Sequence, residues 1–366
     1  MRGIFRQAKS ILIVLLSLLL CGGCQTEPQV PEVIATIPTR GNPLDVAVNP
    51  RTGYVYALSY NHIIVLKGAE KVTELPGGEV GGLAALAVDE ERGWVYAVNE
   101  YDDRIIVIRG TEVITTVETA GQAPANVTVE PQSGWAYVVS GYRKEADGIR
   151  RVVEGNVTVI SGTQVIGAVP LGQVLATHVV ADPVSGYVYV GCVSGNVIII
   201  RGREETARFR AEATILAMDV DPRTGDVYVL TAYGELILFR KGERVAAANV
   251  EEDLAVQNMQ VHPTTGMVYI VTVGGRVRVV REMEVVEEVV AGWGARKMAI
   301  DPVTGNVYVA NFEDDTVTVI HGTEVLATID VGWYPYGIGV NPVNGWVYVS
   351  NTNEHSVTVL GFRDEE

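Results

Sequence analysis

Few residues in this chain have the types and spacing for chemistry. Its five histidines are His62, His178, His262, His321 and His355. A histidine moves protons near neutral pH when a carboxylate or ammonium partner stands within reach. His178 with Asp45, Asp219 or Lys297 has the composition of an acid–base set, but their spacing in the chain fixes no distance between them. There is no Gly-x-Ser-x-Gly, no His-Glu-x-x-His and no phosphate-binding glycine loop, the patterns of a nucleophile elbow, a zinc protease and a nucleotide site. Acids gather at Asp102 and Asp103 and again at Glu313, Asp314 and Asp315. Calcium needs several oxygens converging at short range, and these two groups stand far apart in the chain. They read as solvated turn charges. No metal and no cofactor is expected.

The elements that must position these residues come from a repeat. A Pro-x-Thr-Gly tetrad, or a near variant, ends at Gly53, Gly93, Gly134, Gly186, Gly225, Gly266, Gly305 and Gly345. Three residues after each glycine stands a tyrosine: Tyr56, Tyr96, Tyr137, Tyr189, Tyr228, Tyr269, Tyr308 and Tyr348. Pro fixes φ at the turn, Thr, Ser, Asn and Asp bond local backbone, and Gly takes the positive-φ position. The runs between turns are rich in Val, Ile, Thr and Tyr, as strands require. Each copy holds four strand-like pieces, A to D. In the seventh they are Met298 to Ile300, Val307 to Ala310, Thr316 to Ile320 and Glu324 to Asp330.

Four short antiparallel strands at this period make one blade of an all-β propeller. Runs such as Val197-Ile198-Ile199-Ile200 do not alternate, because both faces of a blade are covered by neighbours. The repeated Tyr is then a packing residue, its ring between blades and its hydroxyl on a polar partner. The last A-B-C set ends at Leu360 with no D strand after it. Val33 to Ile37 matches Val325 to Ile329, so the N-terminal strand (32–38) is expected to complete the eighth blade and close the ring. The domain reading is a leader at 1–23, a tether at 24–31, one eight-bladed propeller at 32–362 and a tail at 363–366.

Tyr-Val-Ala-Asn at 308–311, Tyr-Val-Ser-Asn at 348–351 and Asp-Pro-Val-Thr-Gly at 301–305 resemble the YVTN repeat family of β-propellers. More loosely, they are similar to lactonase-like and NHL propellers. The resemblance runs from about Val33 to Leu360. It implies a propeller of the kind found among surface-layer and periplasmic proteins, often with seven blades, whereas this chain has eight copies. The shared motif residues belong to turns and packing, so the resemblance implies fold more than activity.

In a propeller the D–A and B–C loops share one face, where ligands usually sit over the channel. Aligning the copies gives a ring at the mouth of strand A: Asp45, Ala85, Asn126, His178, Ala217, Asn258, Lys297 and Gly337. The copies differ most here, as a channel lining would. Solvated pore residues that serve no ligand would look the same. Of the histidines only His178 falls on this ring. Trp293, Trp333, Tyr334 and Tyr336 decorate the same loops beside Arg296 and Lys297, a composition typical of binding hot spots. The longest insertion, Tyr142 to Glu154, lies at the third B–C turn. Its Asp147-Gly148 signals a hairpin tip, and Arg143, Lys144, Arg150 and Arg151 make it locally basic. Cys192 lies in a strand pattern and reads as a small buried residue.

The chain opens on Arg2, Arg6 and Lys9, then an apolar run from Ile11 to Leu20, then Cys21-Gly22-Gly23-Cys24. This resembles a bacterial lipoprotein signal, which implies lipidation at Cys24, although Cys21 stands where Leu is usual. The formal net charge is −16, and the leader holds no acid. Such a surface repels phosphate backbones, which argues against nucleic acid, and against docking on anionic lipid. Any membrane contact is through the lipid anchor. The expected function is a monomeric cell-envelope binding or scaffolding module that meets an unknown protein or small molecule on its D–A/B–C face. The alternative is an envelope enzyme of lactonase or lyase type with its site around His178.

Overall fold

The eight tetrad glycines all take positive φ, between 70° and 77°, the region that L side chains avoid. Each donates its N–H to the carbonyl four residues back, as Gly305 does to Asp301. The residue at that corner also caps the turn. Oδ1 of Asn49 accepts from Arg51 and Thr52 N–H, Oδ1 of Asp182 from Val184 and Ser185 N–H, and Asp301 from Val303 N–H and the Thr304 hydroxyl. The turn is therefore closed by its own side chain before any tertiary contact forms.

In the computed structural model these turns join 32 strands into eight antiparallel four-stranded sheets. It describes residues 30–78, 81–144, 150–250 and 255–362. The leader 1–23, Cys24 and most of the tether, and the tail 363–366 lie outside the described residues. Blade seven runs A Ala295–Ile300, B Asn306–Asn311, C Thr316–His321 and D Glu324–Asp330. Blade eight takes A Pro335–Asn341, B Trp346–Asn351 and C Ser356–Gly361 from the C-terminal end. Its D strand is Glu32–Pro38 from the other end, paired from Glu32 opposite Gly361 to Pro38 opposite Ser356. The expected eight blades and their closure are both present.

The apolar core is a ring of eight clusters among the described residues, one at each blade seam. The seam between blades one and two holds Tyr56, Leu58, Val95 and Ile106. The closing seam holds Ile37, Val46, Val55 and Tyr348. Seven of the eight repeat tyrosines are fully buried; Tyr228 is half-buried. Three of their hydroxyls reach the C–D turn of the next blade: Tyr56 donates to the Gly110 carbonyl at 2.9 Å, Tyr137 to Gly202 at 3.0 Å and Tyr269 to Gly322 at 2.9 Å, while the buried hydroxyls of Tyr96, Tyr308 and Tyr348 make no hydrogen bond among the described residues. Tyr189 instead accepts from Gly242 N–H. Burial pushes Tyr56, Tyr137 and Tyr269 up to about 12. These tyrosines are bolts between blades. Cys192 is buried as expected, and burial pushes its thiol up to about 12.

Candidate functional site

Strand A leaves its ladder irregularly at the channel mouth. In blades one, two, four, five and six a single residue falls between paired positions, as Leu44 does between Pro43 and Asp45. In blades seven and eight two residues do: Arg296 with Lys297, and Tyr336 with Gly337. A bulge frees a side chain from the alternation of the strand and re-aims it. The two widest irregularities thus carry the bulkiest cationic and aromatic side chains of the mouth.

Lys297 Nζ donates to Asp45 Oδ1 at 2.7 Å and lies 5.7 Å from the centre of the Tyr336 ring. This bond spans from blade seven to blade one, past blade eight. Gly337 makes that possible, because a Cβ there would stand 2.7 Å from Asp45 Cα. Burial alone would lower the lysine, but the Asp45 charge and hydrogen bond outweigh it and hold the ammonium above its ordinary value. Arg296 Nη1 donates to Gln257 Oε1 at 2.8 Å, and its guanidinium lies 5.1 Å from the Phe312 ring centre. Phe312 in turn stacks on Tyr334 at 4.7 Å, tilted by 32°, and meets Tyr336 nearly edge-on at 6.2 Å.

The remaining ring residues do not join this cluster. Asn126 Nδ2 donates to the Thr177 carbonyl at 3.4 Å. Asn258 Oδ1 accepts from Met298 N–H at 3.4 Å. His178 Nδ1 lies 2.9 Å from Thr177 Oγ1, and its ring also bonds the Leu216 backbone. Burial holds its pKa below the ordinary histidine value, so it is neutral at pH 7. Asp219 Oδ2 accepts from Val261 N–H at 2.6 Å, and burial raises its carboxyl to about 6 despite that bond. Each of these side chains reaches the next blade. The ring is a belt that stitches strands A together. Of the ring's polar members only Asp45 and Lys297 come together.

The rim is built by loops that the acidic turns hold. Asp314 Oδ2 accepts from Trp293 N–H at 2.7 Å, and Glu354 Oε2 from Trp333 N–H at 3.2 Å. Asp315 Oδ1 accepts from Tyr334 N–H at 2.8 Å, and Asp103 Oδ1 from Ala123 N–H at 2.6 Å. Besides being turn charges, Asp103, Asp314 and Asp315 are acceptors for backbone N–H groups. A carboxylate is a strong acceptor, and each fixes the neighbouring D–A loop. Among the described residues no three His, Cys, Asp or Glu side chains stand close enough to hold a metal ion. Tyr334 sits at φ +55°, a costly conformation for a bulky side chain. Its N–H on Asp315, its carbonyl bonded by Thr352 N–H and its ring on Phe312 hold it there. Trp293 and Trp333 remain 69% and 64% exposed.

The blade-three insertion is a ribbon. Tyr142, Arg143 and Lys144 pair with Val152, Arg151 and Arg150, and Asp147-Gly148 at its tip lies outside the described residues. His262 occupies the corner of an A–B turn, and His321 ends a C strand. Beside blade two a recess of about 590 Å³ is lined by Asn99, Asp102, Arg104 and Ile106. Its polar groups are already paired, Asn99 with Asp102 and Arg104 with Glu118.

Sequence reasoning singled out Lys297, Arg296 and the four aromatic residues of this rim but not Phe312, Gln257 and Glu354, which the structure places beside them. Phe312 carried one signal, an aromatic residue directly after the strand-ending Asn of a B–C turn. Gln257 carried none, because its contact depends on the bulge.

No family model matches the chain, and no curated protein matches it. Solved structures do. One is the WD40 β-propeller domain of Doa1, 12% identical, with a TM-score of 0.59 over 91% of this chain and 98% of that one. At that identity the likeness shows the fold. Since 1616 solved chains match, the fold by itself points to no single activity.

Proposed function

We propose that this propeller is an exported binding or scaffolding module of YVTN type, tethered by lipid at Cys24, that meets a partner through its D–A/B–C face. The observation that carries the reading is the rim of blades seven and eight. There two indoles stand exposed on loops whose backbones are fixed by carboxylates, over a packed cluster of Arg296, Phe312, Tyr334 and Tyr336. Aromatic anchors that are already ordered lose little entropy on binding. The ribbon of blade three, with Arg150 and Arg151, opens on the same face.

The tether is tested by fatty-acid labelling in cells: the intact chain takes up label and Cys24→Ala does not. Label retained by Cys24→Ala removes the anchor from the reading. The face is tested by recovery of bound partners from cells. Trp293→Ala/Trp333→Ala is expected to lose them at unchanged melting temperature, and full recovery would reject the face. The lactonase or lyase alternative gains no support, since His178 is tied to Thr177 and Leu216, away from the Asp45–Lys297 pair.

A further inference from the structure

Charge along the chain is uneven where the rim is built. From Met298 to Phe362 there is not one Lys or Arg, but there are seven carboxylates: Asp301, Glu313, Asp314, Asp315, Glu324, Asp330 and Glu354. This stretch supplies most of blade seven and three strands of blade eight. The cations just before it, Arg296 and Lys297, are engaged by Gln257 and Phe312 and by Asp45 and Tyr336. Three of the acids alternate with the exposed indoles. Trp293 N–H bonds Asp314 and Trp333 N–H bonds Glu354. Glu313 N–H bonds the Trp293 carbonyl at 3.2 Å, and the Glu313 side chain is exposed. Asp314 and Glu354 each spend one carboxylate oxygen on a backbone and keep the other.

We propose that the rim formed by Trp293, Trp333, Glu313, Asp314 and Glu354 docks a cationic, extended segment of a partner protein. The inference deepens the binding reading above and rests on it. Lys and Arg side chains stack on indole faces through the ring quadrupole, with their charge directed to nearby carboxylates. Elsewhere some surface acids have cations of their own, as Glu288 has Arg276 and Arg278 and Glu91 has Arg51. For Glu313, Asp314 and Glu354 the cations of blade seven, Arg296 and Lys297, are already engaged by other partners. An acidic or phosphorylated partner would meet only like charge here, and a purely apolar one would leave the free carboxylate oxygens unpaired.

The test titrates three short, end-capped peptides of equal length into the full chain by calorimetry. One alternates Lys and Arg with Gly and Ser, one carries Gln at the cationic positions, and one carries Glu there. The basic peptide is expected to bind. Its affinity should fall about tenfold or more in Trp293→Ala/Trp333→Ala, the loss of two cation–indole contacts, and fall further with salt. Glu313→Lys, whose side chain anchors no backbone, should weaken it as well. Equal binding of the basic peptide to the double variant would mean generic attraction to an acidic protein and would overturn the inference. Trp-dependent binding of the neutral or acidic peptide would overturn the cation chemistry yet leave the face reading standing. Sedimentation of the chain alone covers the remaining occupant. A dimer abolished both by Trp333→Ala and by Arg150→Glu/Arg151→Glu would assign the rim to the ribbon of a second copy and would also overturn the inference.

Discussion

At the scale of single residues, the polar side chains of strand A act mostly as links between blades. His262 shows how closely such a link is set. Its Nδ1 accepts from Thr264 and Thr265 N–H, the task done elsewhere by Asn or Asp, and its Nε2–H donates to the Gly305 carbonyl at 3.1 Å. Only the neutral ring can do both. Burial, opposed by the Gly305 bond, holds its pKa below the ordinary histidine value. A lowered folded pKa gives stability that is complete above the unfolded value of about 6.5 and is lost as pH falls through the folded one. His262→Asn restores the residue found at Asn49 and Asn341 and keeps an acceptor. Its melting temperature should match the parent at pH 8 and exceed it at pH 5. The cost avoided is that of orphaned turn N–H groups, about 1–3 kcal/mol. An identical acid-induced drop in both proteins would exclude this role. The residue type and the turn were legible in the sequence. The tautomer was not, because it is set by Gly305 of the next blade.

At the scale of elements, the strands and their turns follow almost entirely from local chemistry, and the loops do not. Strand D of blade seven has the bounds expected from sequence, Glu324–Asp330. Strand A starts at Ala295, three residues before the expected Met298, because the apolar alternation breaks at the bulge that frees Arg296 and Lys297. The backbone bonds of the B–C acids were not legible for a related reason. Their partners are backbone N–H groups of D–A loops, and no side-chain pattern reports those. Asp315 is the support for the left-handed Tyr334. Asp315→Ala should lower stability by about 1–2 kcal/mol and speed amide exchange in the loop from Trp333 to Gly337. Asp315→Asn keeps an acceptor and the tolerance for the positive φ of Asp315 itself, so it should do little. Equal effects from both replacements would remove Asp315 from that role.

At the scale of the whole molecule, the ring behaves as repeats joined by nearest-neighbour seams, with one seam that needs both chain ends. Ile37 sits in the closing cluster with Val46 and Tyr348, and Thr39 N–H bonds the His355 carbonyl at 2.7 Å. This closure was legible from strand counting alone, since an unpaired C strand would leave a bare edge. Deleting residues 32–38 exposes that edge and should lower the melting temperature by roughly 10 °C or more, given a few degrees per kcal/mol for a domain of this size. An unchanged melting temperature would contradict the closure. The opposite face offers an internal control for function. Val303, 73% exposed, sits in an A–B turn of the same blade seven whose rim carries the proposed contacts. The most direct measurement places a photo-crosslinking amino acid at Trp333 in one protein and at Val303 in another, in cells. A discrete crosslinked partner is expected from position 333 and none from position 303. Crosslinks from 303 alone, or the same partner from both, would contradict a binding module that works through its D–A/B–C face.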